Sequence, residues 1–209
     1  MNKMILIKLL LLFQCLYMQA QDAEWNTSSS KDRKVEVKYR FSYQMDSNDR
    51  EILIIEDITT MRDILDFNKC ISLMKNVSRH KEFNGDFITK KVRDISDSAC
   101  IVYYYSKNPW PIANSDCVAK MTYWIDSTEK MAEFILTAAP NEYLMGDVSR
   151  MAHFNVTYLF KEVGNGTVEI IVKGKTSPPV KVPFWLIKSA FPGAPTKALR
   201  KFAKLSKIQ

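Results

Sequence analysis

From Lys34 onward the chain is a succession of short segments whose apolar residues recur at every second position, and it ends on one stretch where they recur every three or four. That contrast constrains the fold more than any single motif. A period of two buries one face of a strand, and a period near 3.6 buries one stripe of a helix. Val35, Val37, Tyr39, Phe41 and Tyr43 alternate with mostly polar neighbours. Ser47, Asn48 and Asp49 supply a turn, and Ile52 to Ile58 is a second β-branched run, so the two are predicted to pair as a hairpin. Asp63 to Asn76 then carries Ile64, Leu65, Phe67, Ile71, Leu73 and Met74 on one helical side, with Thr60 or Asp63 as N-cap.

After a polar stretch, Ser78 to Asp86, come strand-like runs at Ile88 to Val92, Ala99 to Tyr105, Cys117 to Ile125, Glu133 to Ala138, Met151 to Phe160 and Thr167 to Lys173. Turn residues separate them, among them Asp94 to Asp97, Asn108 to Ser115, Pro140 to Asp147 and Gly164 to Gly166. The tail, Pro183 to Leu205, places Ile187, Ala190, Phe191, Ala194, Ala198 and Phe202 on one face, with Lys197, Arg200, Lys201 and Lys204 opposite. Pro192, Gly193 and Pro195 should kink or split that helix.

Two strands, a helical insertion, a meander and a final helix make an α+β layout. The sheet must bury one face, and the last helix is the element long enough to cover it. The expected architecture is a curved antiparallel sheet wrapped around a long C-terminal helix with an internal hydrophobic cavity between them. Alternation puts Cys117, Ala119, Met121 and Tyr123 on the inner face, since the other face carries the charged Lys120. In the preceding strand both faces are apolar, and Val102 and Tyr104 are assigned inward.

The first 20 residues surround an apolar run, Leu9 to Phe13, with Lys3 and Lys8 and turn polar at Gln19, the layout of a secretory signal peptide. Cleavage after Ala20 leaves about 189 residues, the size of one domain. Removing Lys3 and Lys8 lowers the net charge from +7 to +5, mildly basic. Residues 21–33, Ser-rich and polar, are read as a linker, and 34–209 as the domain. The expected location is periplasmic or secreted. Three cysteines, Cys70, Cys100 and Cys117, remain, which permits at most one bridge with one thiol left over.

Chemistry-bearing motifs are sparse. His80 and His153 are the two histidines, and there is no Gly-x-Ser-x-Gly elbow, His-Glu-x-x-His pair, phosphate-binding glycine loop or Cys-x-x-Cys. No metal or cofactor is expected. His80 sits in the polar run Ser78 to Glu82 and reads as solvated. His153, in a strand-like run close to Arg150, is a candidate for contact with a ligand headgroup. Basic and aromatic residues do not interleave as a nucleic-acid platform requires, so no such partner is expected.

Tyr103-Tyr104-Tyr105-Ser106-Lys107-Asn108-Pro109-Trp110-Pro111-Ile112, followed by Ser115-Asp116-Cys117-Val118, resembles the START (StAR-related lipid-transfer) segment in which an aromatic strand meets a Pro-aromatic-Pro turn. The family pattern continues Arg-Asp-Phe-Val, of which Asp116 and Val118 match. Val148-Ser149-Arg150 resembles its Arg-bearing strand start. Val182-Pro183-Phe184-Trp185-Leu186-Ile187 resembles its Ile-Pro-x-Trp-Leu-Val approach to the final helix. The resemblance, to START or the wider START-like (SRPBCC) superfamily, implies a helix-grip fold holding a lipid or other hydrophobic molecule. The implied cavity residues are Val102, Tyr104, Ala119, Met121, Tyr123, Met151, His153, Trp185, Ile187 and Phe191. The expected role is non-catalytic binding or transfer by a monomer with transient membrane-surface contact. The alternative is a cyclase or aromatase type of enzyme using the same cavity, which would place a titratable pair inside it.

Overall fold

The computed structural model describes residues 24–46, 48–108, 112–143, 148–178 and 182–208. The expected signal peptide and cleavage point and the Pro109-Trp110-Pro111 segment lie outside the described residues.

Ten strands form one antiparallel sheet among the described residues: β1 (Asn26–Ser29), β2 (Val35–Met45), β3 (Glu51–Ile64), β4 (Ile88–Ser96), β5 (Ala99–Ser106), β6 (Ser115–Asp126), β7 (Met131–Ala138), β8 (Ser149–Arg150), β9 (Phe154–Glu162) and β10 (Thr167–Thr176). Their order is β1-β2-β3-β10-β9-β7-β6-β5-β4, with the two-residue β8 running parallel to β6. The first hairpin thus joins the meander through its last strand. Helix α1 (Phe67–Lys75), a 3₁₀ turn (Val77–Arg79) and α2 (Lys81–Asn84) connect β3 to β4, and α3 (Phe184–Ala190) and α4 (Gly193–Leu205) end the chain.

The expected alternation holds. Val35 and Val37 of β2, Cys117, Ala119 and Met121 of β6, and Val102 and Tyr104 of β5 are buried in one core with Phe134, Phe160, Ile170 and Phe202. Lys120 is exposed. The outer face of β5 and β6 carries a second, smaller cluster of Ile101, Tyr103 and Val118, against which Ala139 and Tyr143 pack. That cover is why both faces of β5 are apolar. The three cysteines are buried free thiols.

Four local expectations are corrected. Residues 26–29 are not linker but a strand pairing Asn26 to Tyr39 and Ser29 to Glu36. The edge of β2 supplies a ladder that a Ser-rich segment can join without burying side chains. The turn between them is tied by Ser30 Oγ, which accepts from the Val35 amide at 3.0 Å. The first helix starts at Phe67, not Asp63, because β3 stays paired with β10 through Ile64. Its cap is Asp66, whose Oδ1 accepts from the Lys69 amide at 3.0 Å. The polar stretch Ser78 to Asp86 holds the 3₁₀ turn and α2. Strand β9 begins at Phe154, leaving Met151 to His153 outside the ladder. The tail helix does split, at Phe191 and Pro192.

Candidate functional site

A cavity of about 230 Å³ lies between the concave face of the sheet and the α1–α2 segment. Its walls come from five places: Met74 at the end of α1, Phe83 in α2, Tyr104 in β5, Cys117 and Leu136 in the middle strands, and Phe154, Val156 and Tyr158 along β9. A second hollow of about 150 Å³ adjoins it under α4 and shares Phe83 and Tyr158 as walls. Its remaining lining includes Thr59, Val172, Leu199 and Phe202. The final helix therefore roofs the inner hollow, with Phe202 stacked on Phe160 at 5.4 Å and edge-on to Phe83 at 5.1 Å.

His80, read from the sequence as solvated, is 2% exposed and lines the first cavity. Its Nε2 is 2.8 Å from the Met74 carbonyl and its Nδ1 is 2.9 Å from the Tyr104 hydroxyl. A carbonyl only accepts, so Nε2 carries the proton and Tyr104 donates to Nδ1. Burial lowers the His80 pKa to about 4, and burial raises that of Tyr104 well above its usual range. The pair is neutral at physiological pH. One signal was available in the sequence: Val77, His80 and Phe83 recur at steps of three, and all three are buried.

The polar wall continues with Asp86, which accepts a hydrogen bond from the Ser106 hydroxyl and whose pKa burial raises. Tyr158 has its pKa raised chiefly by burial and next by the charge of Asp57. Asp57 belongs to the concave face, since it pairs with Tyr39 of β2 and Gly174 of β10. Burial pushes its carboxyl up to about 6, against a hydrogen bond from Thr59. Parity with Ile55, Thr59 and Met61 of the same strand marks Asp57 as inward, but its place inside a β-branched run hid it. Cys117 is pushed up to about 12 by burial, which makes it a poor thiolate nucleophile.

The raised Asp57 pKa has a stability consequence with a definite sign. The native state holds this proton up to about pH 6. An unfolded carboxyl loses it near pH ~4. Ionisation therefore destabilises the native state above that window, and nothing is lost below it. Asp57→Asn should raise stability at pH 7.5 by on the order of 2 kcal/mol, a gain that shrinks to nothing by pH ~3.5. Urea unfolding across that range measures it; an unchanged midpoint at pH 7.5 would mean that the carboxyl is solvated.

Of the sequence-predicted site residues, Tyr104 and Met151 line the cavity. Val102, Ala119 and Met121 lie on the same face but are packed into the solid core. Tyr123 stacks on Phe134 at 5.1 Å and donates its hydroxyl to the Asp97 carbonyl at 2.6 Å. Four expected residues are elsewhere. His153 is exposed, because it precedes β9 and no ladder turns it inward, and it borders an open groove of about 370 Å³ together with Ile187. Phe191 packs on Tyr39 and Phe41. Trp185 is 68% exposed: Phe184 stands edge-on to Phe41 at 5.2 Å, and a one-residue step around the helix turns Trp185 away.

This sheet and its covering helices form the START-like helix-grip fold. A STAR-related lipid transfer protein fragment from Xanthomonas axonopodis superposes with a TM-score of 0.71 at 15% identity, over 86% of this chain and 97% of that one. The human StarD13 (DLC2) lipid transfer and protein localization domain gives 0.68 at 15% identity, over 95% and 98%. Human STARD10 gives 0.67 at 18% identity, over 90% and 75%. No protein-family model and no curated protein sequence matches the chain.

Proposed function

We propose that this protein binds a hydrophobic small molecule in the cavity beneath α2 and α4 and carries or holds it without covalent chemistry, in the exported compartment that residues 1–20 imply. The observation that carries the reading is an internal, largely apolar hollow with a short polar wall in a fold built around such a space. Its volume sets the ligand class. Pockets for drug-sized ligands run to about 300–1,000 Å³. The main hollow is about 230 Å³, so it suits a compact apolar body or one short hydrocarbon chain. A diacyl lipid requires the roof to move.

The cyclase-like alternative has one observation in its favour, the His80–Tyr104 pair inside the cavity. A general base works best with a pKa near the operating pH. His80, at about 4, does not meet this requirement, and both its ring nitrogens are already engaged. The pair supports the fold and presents a neutral polar surface. Extraction and mass spectrometry of the purified protein should therefore recover an unmodified hydrophobic molecule. Val156→Trp, which fills the hollow, should weaken binding of a fluorescent hydrophobic probe by about tenfold or more, on the order of 1.4 kcal/mol. Equal probe affinity in a folded Val156→Trp protein would overturn the assignment of this cavity.

A further inference from the structure

We infer that the cavity takes a hydrophobic ligand with a hydroxyl head, which donates to the Tyr104 or Ser106–Asp86 oxygens and accepts from the Ser115 hydroxyl. This rests on the binding reading above and names the polar group that the ligand carries.

The head's position follows from strand register. Tyr104 and Ser106 share the concave face of β5, about 7 Å apart along the strand. The ladder sets them opposite Cys117 and Ser115 of β6, and all four line the cavity. Three hydroxyls and a thiol thus form one contiguous patch. His80 stacks on Tyr104 with ring centres 5.9 Å apart. Asp86 closes over Ser106 through their hydrogen bond, its own amide donating to Asn84 Oδ1 at 3.0 Å. Both His80 and Asp86 line the cavity as well, so the patch has a polar cover and a polar floor. Further across the sheet the lining turns apolar with Leu136 and Val156, and Tyr158 stands three strands away on β9.

The protons on this patch are already assigned by its hydrogen bonds. The Met74 carbonyl fixes the His80 proton on Nε2, which leaves Nδ1 to take the hydrogen bond of Tyr104. The Tyr104 oxygen is left to accept, and no group donates to it among the described residues. Ser106 spends its proton on Asp86, so that pair also presents lone pairs. Ser115 is the converse: its oxygen accepts from Asn108 Nδ2 at 3.3 Å, and its own proton has no acceptor among the described residues. The wall therefore offers acceptors on one side and a donor on the other. A ketone can use Ser115 alone, and an ammonium has no lone pair for it. A hydroxyl satisfies both. The difference is selective because a buried polar group left unpaired costs more than a formed bond gains.

2-Octanol, 2-octanone and 2-aminooctane share one carbon skeleton and differ in the head alone, so titration calorimetry at pH 7.5 separates the cases. The alcohol should bind about tenfold tighter than the ketone, and tighter than the amine, which is an ammonium at this pH. Tyr104→Phe should weaken the alcohol about threefold or more and leave the ketone within about twofold, whereas Ser115→Ala should weaken both. A ketone as tight as the alcohol, or an alcohol unaffected by both substitutions, overturns the inference. An ammonium as tight as the alcohol overturns it too, because the Asp86 charge would then set the head. Should either variant not fold, the wild-type order of the three ligands still decides. If none of the three binds while the fluorescent probe does, the hydroxyl class fails alone. If the probe fails too, the cavity assignment falls with it.

Discussion

Phe202→Ala should cost about 3–5 kcal/mol of stability, the range for truncating a buried aromatic ring. Phe202 is 1% exposed and touches both the sheet, through Phe160, and α2, through Phe83. It is therefore the pin between roof and floor. Domains of this size are commonly stable by about 5–15 kcal/mol, so the loss removes a large share of the total. Lys201→Ala, one residue earlier and exposed, should stay within about 0.5 kcal/mol. Chemical denaturation of the pair is decisive: a Phe202→Ala loss below about 1 kcal/mol would mean that α4 rests on the sheet without being part of its core.

Arg150→Ala should cost a similar amount, about 3–5 kcal/mol, for a different reason. The Asp116 side chain is 0% exposed, and Arg150 meets it twice, Nε to Oδ1 at 2.9 Å and Nη2 to Oδ2 at 2.6 Å. Nη1 of the same guanidinium donates to the Pro140 carbonyl at 2.7 Å and also to the Tyr143 carbonyl, so one side chain ties β6, β8 and the 139–143 segment. Removing it strands a buried carboxylate. Asp116→Asn with Arg150→Met should recover part of the loss, because the uncompensated charge goes with its partner. A double variant as unstable as the sum of the singles would show that the two side chains act independently.

Both members of that ion pair stood out in the sequence, Asp116 within the one half-matching motif and Arg150 in another. Their pairing did not, because it depends on a two-residue parallel strand that no periodicity announces. Strand parity was legible wherever one face is wet, as at Lys120, and ambiguous in β5, where Tyr143 and its neighbours dry the outer face. The polar groups of the concave face were the least legible part. His80 lies inside a charged run, and Asp57 is a single acid within a stretch of isoleucines. Each points inward for a reason set by a distant partner, Tyr104 for one and Gly174 for the other. The face of the helical tail was legible only in part: Phe202 is buried as expected, but Ala190 and Ala194 are exposed, and the buried Leu199 and Ala203 were not on the expected face.

The ladder between β3 and β10 also governs how the chain is made. It pairs Ile55 with Thr176 and Ile64 with Thr167, so the first hairpin waits for the far end of the sequence before its sheet is complete. Contacts this distant place the protein among slow folders, in the range of milliseconds to seconds. At about 5–20 residues per second of synthesis, β3 presents an open edge on the ribosome for roughly 5–20 s. An apolar, β-branched edge is a template for pairing with another chain. Glu56 and Asp57 interrupt the run from Ile52 to Ile58 at this point, as charged gatekeepers do. The carboxylate that burdens the finished sheet thus guards the nascent one against aggregation.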